Sequence, residues 1–211
     1  MIRETYSGET IEELINFFKL SIKGIIHLGA HKCEEYPIYE KFTNNVVWIE
    51  AIPELIKAAQ EKYPELNIIN EIVGDVDGKD IEFKITNNTL SSSILDIKYH
   101  KEIHPNVVVE RILKSQTKTL NTIISEYNLN INDYNLLTLD LQGAELLALK
   151  GLGDNIKNLD YIYTEVNEKE LYEGCCLLND LDIYLGYFGF DRKFVTTLNS
   201  YGNALYSRVK Q

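Results

Sequence analysis

Lys23-Gly24-Ile25-Ile26-His27-Leu28-Gly29-Ala30-His31-Lys32-Cys33, followed by Val46-Val47-Trp48-Ile49-Glu50, is the stretch that decides the fold. The first run reads as a buried strand entering a glycine turn. The second reads as a strand ending on an acid. Strand, turn, helix, strand and terminal acid make the nucleotide-binding half of a doubly wound α/β sheet. Gly29 lets the backbone approach a ligand closely, and Glu50, roughly twenty residues on, is placed to accept hydrogen bonds from a ribose diol. The turn lacks the second and third glycines of a dinucleotide fingerprint, which weakens a pyrophosphate reading.

The pattern outside this core is an alternation of apolar runs and amphipathic segments. Thr10 opens a helix with Glu13 three residues later, a capping box, and Ile11, Leu14, Ile15 and Phe18 fall on one face, so this helix is expected to pack on the core and to close over the sheet edge. Helices are expected over 33–42, 53–62, 119–127, 143–150 and 177–187, with Pro53 suited to a first helical turn. Strands are expected over 24–28, 46–50, 66–73, 81–85, 107–117, 136–141, 161–165, 191–198 and 203–209. The polar segment 87–104 reads as an excursion over the sheet. The last two strands are joined by Ser200-Tyr201-Gly202, too short for a crossover helix, so they must be antiparallel. No repeat or linker interrupts the chain, so a single domain over 1–211 is expected, with 1–22 as a helical cap and 23–211 as the Rossmann-like core.

A chain of 211 residues with 45% hydrophobic and 25% charged residues has ordinary globular composition and room for one well-buried core. The net charge of -11 argues against a nucleic-acid partner, which needs clustered lysine and arginine. No apolar stretch reaches the roughly twenty residues that span a bilayer, and Met1–Ser7 has no apolar signal core. The three cysteines, Cys33, Cys175 and Cys176, lack a CxxC spacing for zinc and read as reduced thiols of a cytoplasmic protein. His100 and His104 are helix-spaced, but Pro105 follows and no third ligand is evident beyond Asp96 or Glu102, so no metal site is expected.

The chemistry is expected at the strand ends, where open α/β sheets bind ligands. Asp140, in Leu136-Leu137-Thr138-Leu139-Asp140-Leu141-Gln142-Gly143-Ala144-Glu145, ends the fourth parallel strand beside the topological switch point. It is the preferred general base, with Glu165, ending the next strand, and His31, lining the cleft, as the other catalytic candidates. Gly29, His31, Glu50, Asp140 and the turn at Asp75 are the cofactor-side candidates. Ser92, Glu145 near a helix N-terminus, and Tyr172 in the loop 167–174 are the acceptor-side candidates. A mostly parallel sheet ending in an antiparallel hairpin is the usual shape of S-adenosylmethionine-dependent methyltransferases, whereas nicotinamide-binding domains normally keep their strands parallel. A nicotinamide-dependent oxidoreductase and a non-catalytic binding module are the competing readings.

Taken in order, Ile26-His27-Leu28-Gly29-Ala30-His31, Glu50, Ser91-Ser92-Ser93, Asp140-Leu141-Gln142-Gly143-Ala144-Glu145, Thr164-Glu165, Glu170-Leu171-Tyr172-Glu173-Gly174 and Gly189-Phe190 resemble the FkbM family of methyltransferases. The resemblance runs from about Gly24 to the C-terminus. It implies a class I methyltransferase fold, S-adenosylmethionine as cofactor, and O-methylation of hydroxyls on sugars, glycans or small metabolites. It also implies cofactor contacts at Gly29, Glu50 and the turn near Asp75, with Asp140 beside the reacting centre. Two positions depart from the family pattern: Cys33 stands for a commoner glycine and Gln142 for a commoner glutamate.

Overall fold

The computed structural model describes residues 10–196 and 199–209. The segment read above for a signal core, the last two residues of the chain, and the end of the strand expected over 191–198 lie outside the described residues.

The parallel centre of the sheet forms where the sequence is most apolar. β1 (Ile25–Leu28) and β8 (Leu136–Leu139) are buried at every position and pair in parallel, Ile25 with Leu136 through Leu28 with Leu139. Such two-sided burial produces continuous apolar runs rather than alternation. β2 (Val46–Glu50) and β3 (Ile68–Asn70) extend the sheet on one side, and β9 (Tyr161–Asn167) on the other. β11 (Tyr201–Arg208) inserts antiparallel between β9 and β10 (Phe190–Val195), giving the order β10-β11-β9-β8-β1-β2-β3. The antiparallel ending is as expected from the short final connection.

Helices cover both faces. α5 (Leu120–Glu126), α6 (Glu145–Leu152) and α7 (Leu178–Tyr187) bury Leu120, Ile123, Ala148, Leu149, Leu181 and Leu185 against Ile26, Leu28, Leu137 and Leu139. The opposite face is covered by α1 (Ile11–Phe17), α2 (Tyr36–Tyr39) and α3 (Pro53–Lys62), which bury Ile11, Ile15, Tyr39, Ile56 and Ala59 against Ile25, Trp48, Ile68 and Leu136. The Thr10–Glu13 capping box is formed. α1 packs on the core as expected, with Ile11 and Ile15 in one buried cluster with Ile25, Cys33 and Tyr39.

Three expected elements are altered. The helix expected over 33–42 contracts to four residues, because Cys33 is left-handed (φ 54°) and Pro37 fixes the first turn of what remains. The strand expected over 66–73 ends at Asn70, and β4 (Val73–Gly74) leaves the sheet to pair with β7 (Lys118–Thr119). β5 (Asp80–Thr86) and β6 (Val109–Gln116) form a separate antiparallel ribbon, and the 87–104 excursion between them carries a short helix, α4 (His100–Ile103). No helix among the described residues is long and apolar enough to cross a membrane.

Candidate active site

A cavity of about 480 Å³ opens over the C-terminal ends of β1, β2 and β8. Two tight loops shape its floor. After β1, Gly29 turns at φ +77°, followed by left-handed His31 (φ 47°) and Cys33 (φ 54°). After β8, Gln142 (φ 52°) and Gly143 (φ 98°) do the same. Left-handed non-glycine residues carry steric strain and gather where surrounding structure over-determines the chain. Gly29 lines the cavity as expected, yet its need for glycine has another source: a Cβ there would stand 1.9 Å from the Asp140 carbonyl oxygen. The glycine brings the two loops together.

Glu50 ends β2 facing this cavity. Its Oε2 accepts from the His31 N–H (2.8 Å) and its Oε1 from the Ile52 N–H (2.7 Å). A carboxylate has about four acceptor sites, so lone pairs remain for a ligand diol. Burial pushes its carboxyl up to about 7, against the opposing pull of the backbone N–H bonds. His31 lines the cavity beside it, with Nδ1 3.0 Å from Glu34 Oε1 and Nε2 2.9 Å from Thr89 Oγ1. Both ring nitrogens are thus engaged, and His31 ties the loop to the excursion rather than standing as a ready base.

Asp140 is exposed at the cavity. Its Oδ1 accepts from Gln142 Nε2 at 2.7 Å. The same amide lies 2.6 Å from Glu165 Oε2, while Gln142 Oε1 accepts the Tyr172 hydroxyl at 2.8 Å. The departure from the family's glutamate therefore has a physical consequence. A neutral donor stands between two carboxylates that a third acid would repel.

Four expected site residues are placed elsewhere. Glu165 is buried behind Gln142, off the cavity wall, and burial followed by the Asp140 charge holds its carboxyl well above the usual range. Glu145 is fully buried beneath the loop: its Oε1 accepts the Leu141 N–H (2.9 Å) and Gly143 N–H (3.1 Å), so it braces the chain around Asp140 and is off the cavity wall. Tyr172 is buried, packed with Leu171 and Cys175, and offers no ring face for stacking. Asp75 lies off the wall in the loop after β4, where the nearby Asp77 accepts the N–H of Thr119, the N-cap of α5; Glu71, Ile72 and Val73 line the cavity instead. Ser92 does line it, its Oγ accepting the Thr86 N–H.

Residues not singled out in the sequence complete the wall. His27, Thr138 and Tyr163 stand two positions before Gly29, Asp140 and Glu165, on one register row of the sheet. The Tyr39 hydroxyl lies 3.1 Å from His27 Nδ1 and donates to Thr138 Oγ1 at 3.2 Å. Burial lowers the His27 imidazole to about 4, so it is neutral near pH 7. A polar residue inside an apolar strand was the available signal: Ile-Ile-His-Leu and Leu-Leu-Thr-Leu each hold one. The His100 and His104 rings lie tilted at 47° with centroids 4.8 Å apart, and among the described residues no cluster of ligands that could hold a metal occurs.

The fold and this strand-end cavity define the class I methyltransferase architecture. The model of the FkbM methyltransferase domain matches residues 27–197, and the chain belongs to that family. A 2-O-methyltransferase, NoeI, of Sinorhizobium fredii is 33% identical over 101 residues, 48% of this chain and 38% of that protein. The match thus spans well under half of that relative's length. Among solved structures, an S-adenosylmethionine-dependent methyltransferase from Clostridium acetobutylicum superposes with a TM-score of 0.50 at 10% identity, covering 95% of this chain and 89% of that one. TrmK of M. capricolum, solved with S-adenosylhomocysteine, has a TM-score of 0.50 at 10% identity, covering 97% and 70%. The cofactor is S-adenosylmethionine. The wall fits it: Glu50, held by two backbone N–H groups, keeps acceptor sites that a diol could use, and Ile52, Leu55, Ile72 and Phe83 form an apolar slot wide of the strand ends.

Proposed function

We propose that this protein methylates a hydroxyl oxygen of a sugar, a glycan or a small metabolite. The observation that carries the reading is Asp140: an exposed carboxylate in the same cavity as Glu50, anchored through Oδ1 by a neutral amide. The cofactor supplies a methyl group activated by a sulfonium. The protein's own residues have three tasks. Glu50, held by two backbone N–H groups, orients the ribose. The wall excludes water and aligns the acceptor oxygen, a contribution on the order of several kcal/mol. Asp140 takes the hydroxyl proton as the oxygen–carbon bond forms and the carbon–sulfur bond breaks, then returns it to solvent.

The relative described as a 2-O-methyltransferase supports a hydroxyl acceptor. The net charge of -11 supports a small molecule or glycan over nucleic acid. The test is transfer of a labelled methyl group to a panel of glycosides and hydroxylated metabolites, beside calorimetry with S-adenosylhomocysteine and with NAD. Labelled ether product and S-adenosylhomocysteine binding are expected. Tight NAD binding without S-adenosylhomocysteine binding would sink the reading, as would binding of cofactor with no hydroxyl methylated.

A further inference from the structure

The cavity continues past the strands that carry the cofactor contacts. Gly29, Glu50, Ile52 and Ile72 belong to β1, β2, β3 and the loops after them, and Asp140 stands at the centre. On the far side Thr138, Tyr163 and Asn203, from β8, β9 and β11, line the same space, and Thr10 and Ile11 close it at the start of α1. Asn203 pairs with Glu165 across β11 and β9, so its position abuts the Asp140 end of the sheet. We infer that this β8–β9–β11 arm seats the acceptor and selects an uncharged, hydroxyl-bearing group over an anionic one, with Tyr163 and Asn203 as its specificity-determining residues. The inference rests on the methyltransferase reading.

Charge carries the argument. Glu34, Glu35, Glu50, Glu71 and Asp140 line the cavity, and among the described residues no lysine or arginine does. Among the described residues only Glu71 has a lysine or arginine against it, Lys118 at 2.7 Å, and Glu34 has the His31 ring. Glu35 and Asp140 both bear on the Tyr163 phenol, whose acidity is suppressed first by burial and then by those two charges. A phosphate, sulfate or carboxylate in this arm would meet the Asp140 carboxylate and the Glu35 carboxyl, which burial raises, with no counter-ion among the described residues. A sugar hydroxyl would meet a phenol, a threonine hydroxyl and an amide, all of which exchange hydrogen bonds with neutral groups. The same field favours a cationic methyl donor.

The test uses the full chain saturated with S-adenosylhomocysteine and matched ligand pairs, a hexose methyl glycoside against the corresponding uronate, followed by ligand-observed NMR. The neutral member should bind at least about tenfold more tightly, the effect of one unscreened like-charge contact. Tyr163→Phe and Asn203→Ala should each weaken it several-fold with S-adenosylhomocysteine affinity unchanged, which also reports that the variants fold. Glu35→Gln should narrow the gap between the pair. Equal or tighter uronate binding, no binding by any neutral member, or indifference to both variants would overturn the inference while leaving the methyltransferase reading intact. Failure of S-adenosylhomocysteine to bind the unmodified chain would instead remove that reading, and this inference with it.

Discussion

Asp140 and Gly29 are two halves of one arrangement. The Asp140 N–H donates to the Leu28 carbonyl, and its own carbonyl occupies the space where a residue-29 side chain would stand. Gly29→Ala should therefore cost at least about 2 kcal/mol, from the positive φ and the overlap together, read as a lowered denaturation midpoint. Asp140→Asn is expected to behave differently. It keeps the shape and removes the proton acceptor, so kcat should fall about a hundredfold or more while S-adenosylhomocysteine affinity stays within a few-fold. An Asn variant with unchanged kcat would show that Asp140 takes no proton.

At the scale of elements, the 140–144 loop depends on one buried carboxyl beneath it. Glu145 Oε1 serves two loop N–H groups, its Oε2 has no partner among the described residues, and burial raises the group to about 7. Glu145→Gln retains the accepting oxygen and should leave methyl transfer within about tenfold, whereas Glu145→Ala strands both N–H groups and should cost about 2 kcal/mol or more, with kcat reduced. Thermal denaturation and turnover of the two variants check this. The apolar strands, the capped α1 and the final hairpin were legible because burial and connection length dictate them locally. The short α2 was not, since Cys33 adopts a conformation that a sequence pattern assigns to glycine. Glu145 and Tyr172 were misread for a related reason: residue type marks them as polar, while only the packed α6 and the 167–174 loop determine that they face inward. His27, Thr138 and Tyr163 were passed over because the strand ends drew attention from the row beneath.

For the whole molecule, burial places several carboxyls above their unfolded values. Glu50 and Glu145 reach about 7 and Glu165 lies well above the usual range, each chiefly through burial. A raised carboxyl binds its proton more tightly in the folded chain. Its stabilisation is complete below about pH 4.5 and is lost as pH rises through the folded value. Stability of the cofactor-free protein should therefore decline between about pH 4.5 and 7, by on the order of a few kcal/mol. The lowered carboxyls Glu34, Asp77 and Glu170 have the opposite sign but are solvent-screened. Urea denaturation across that range, repeated with Glu145→Gln, should reveal the slope and its reduction; a flat profile would contradict the assignment.

The three cysteines are distributed with unusual economy for an experimenter. Cys33 lies in the apolar cluster under α1 and α2, Cys176 in the cluster under α5, α6 and α7, and Cys175 among the residues joining the 87–104 excursion to the 167–174 loop. All are buried with thiols pushed upward by burial, Cys33 and Cys176 to about 12. A thiol held that way reacts only when its surroundings open. Native-state alkylation resolved by mass spectrometry thus reads three regions of one chain separately, and cofactor addition should slow Cys33, whose turn donates to Glu50, most of all.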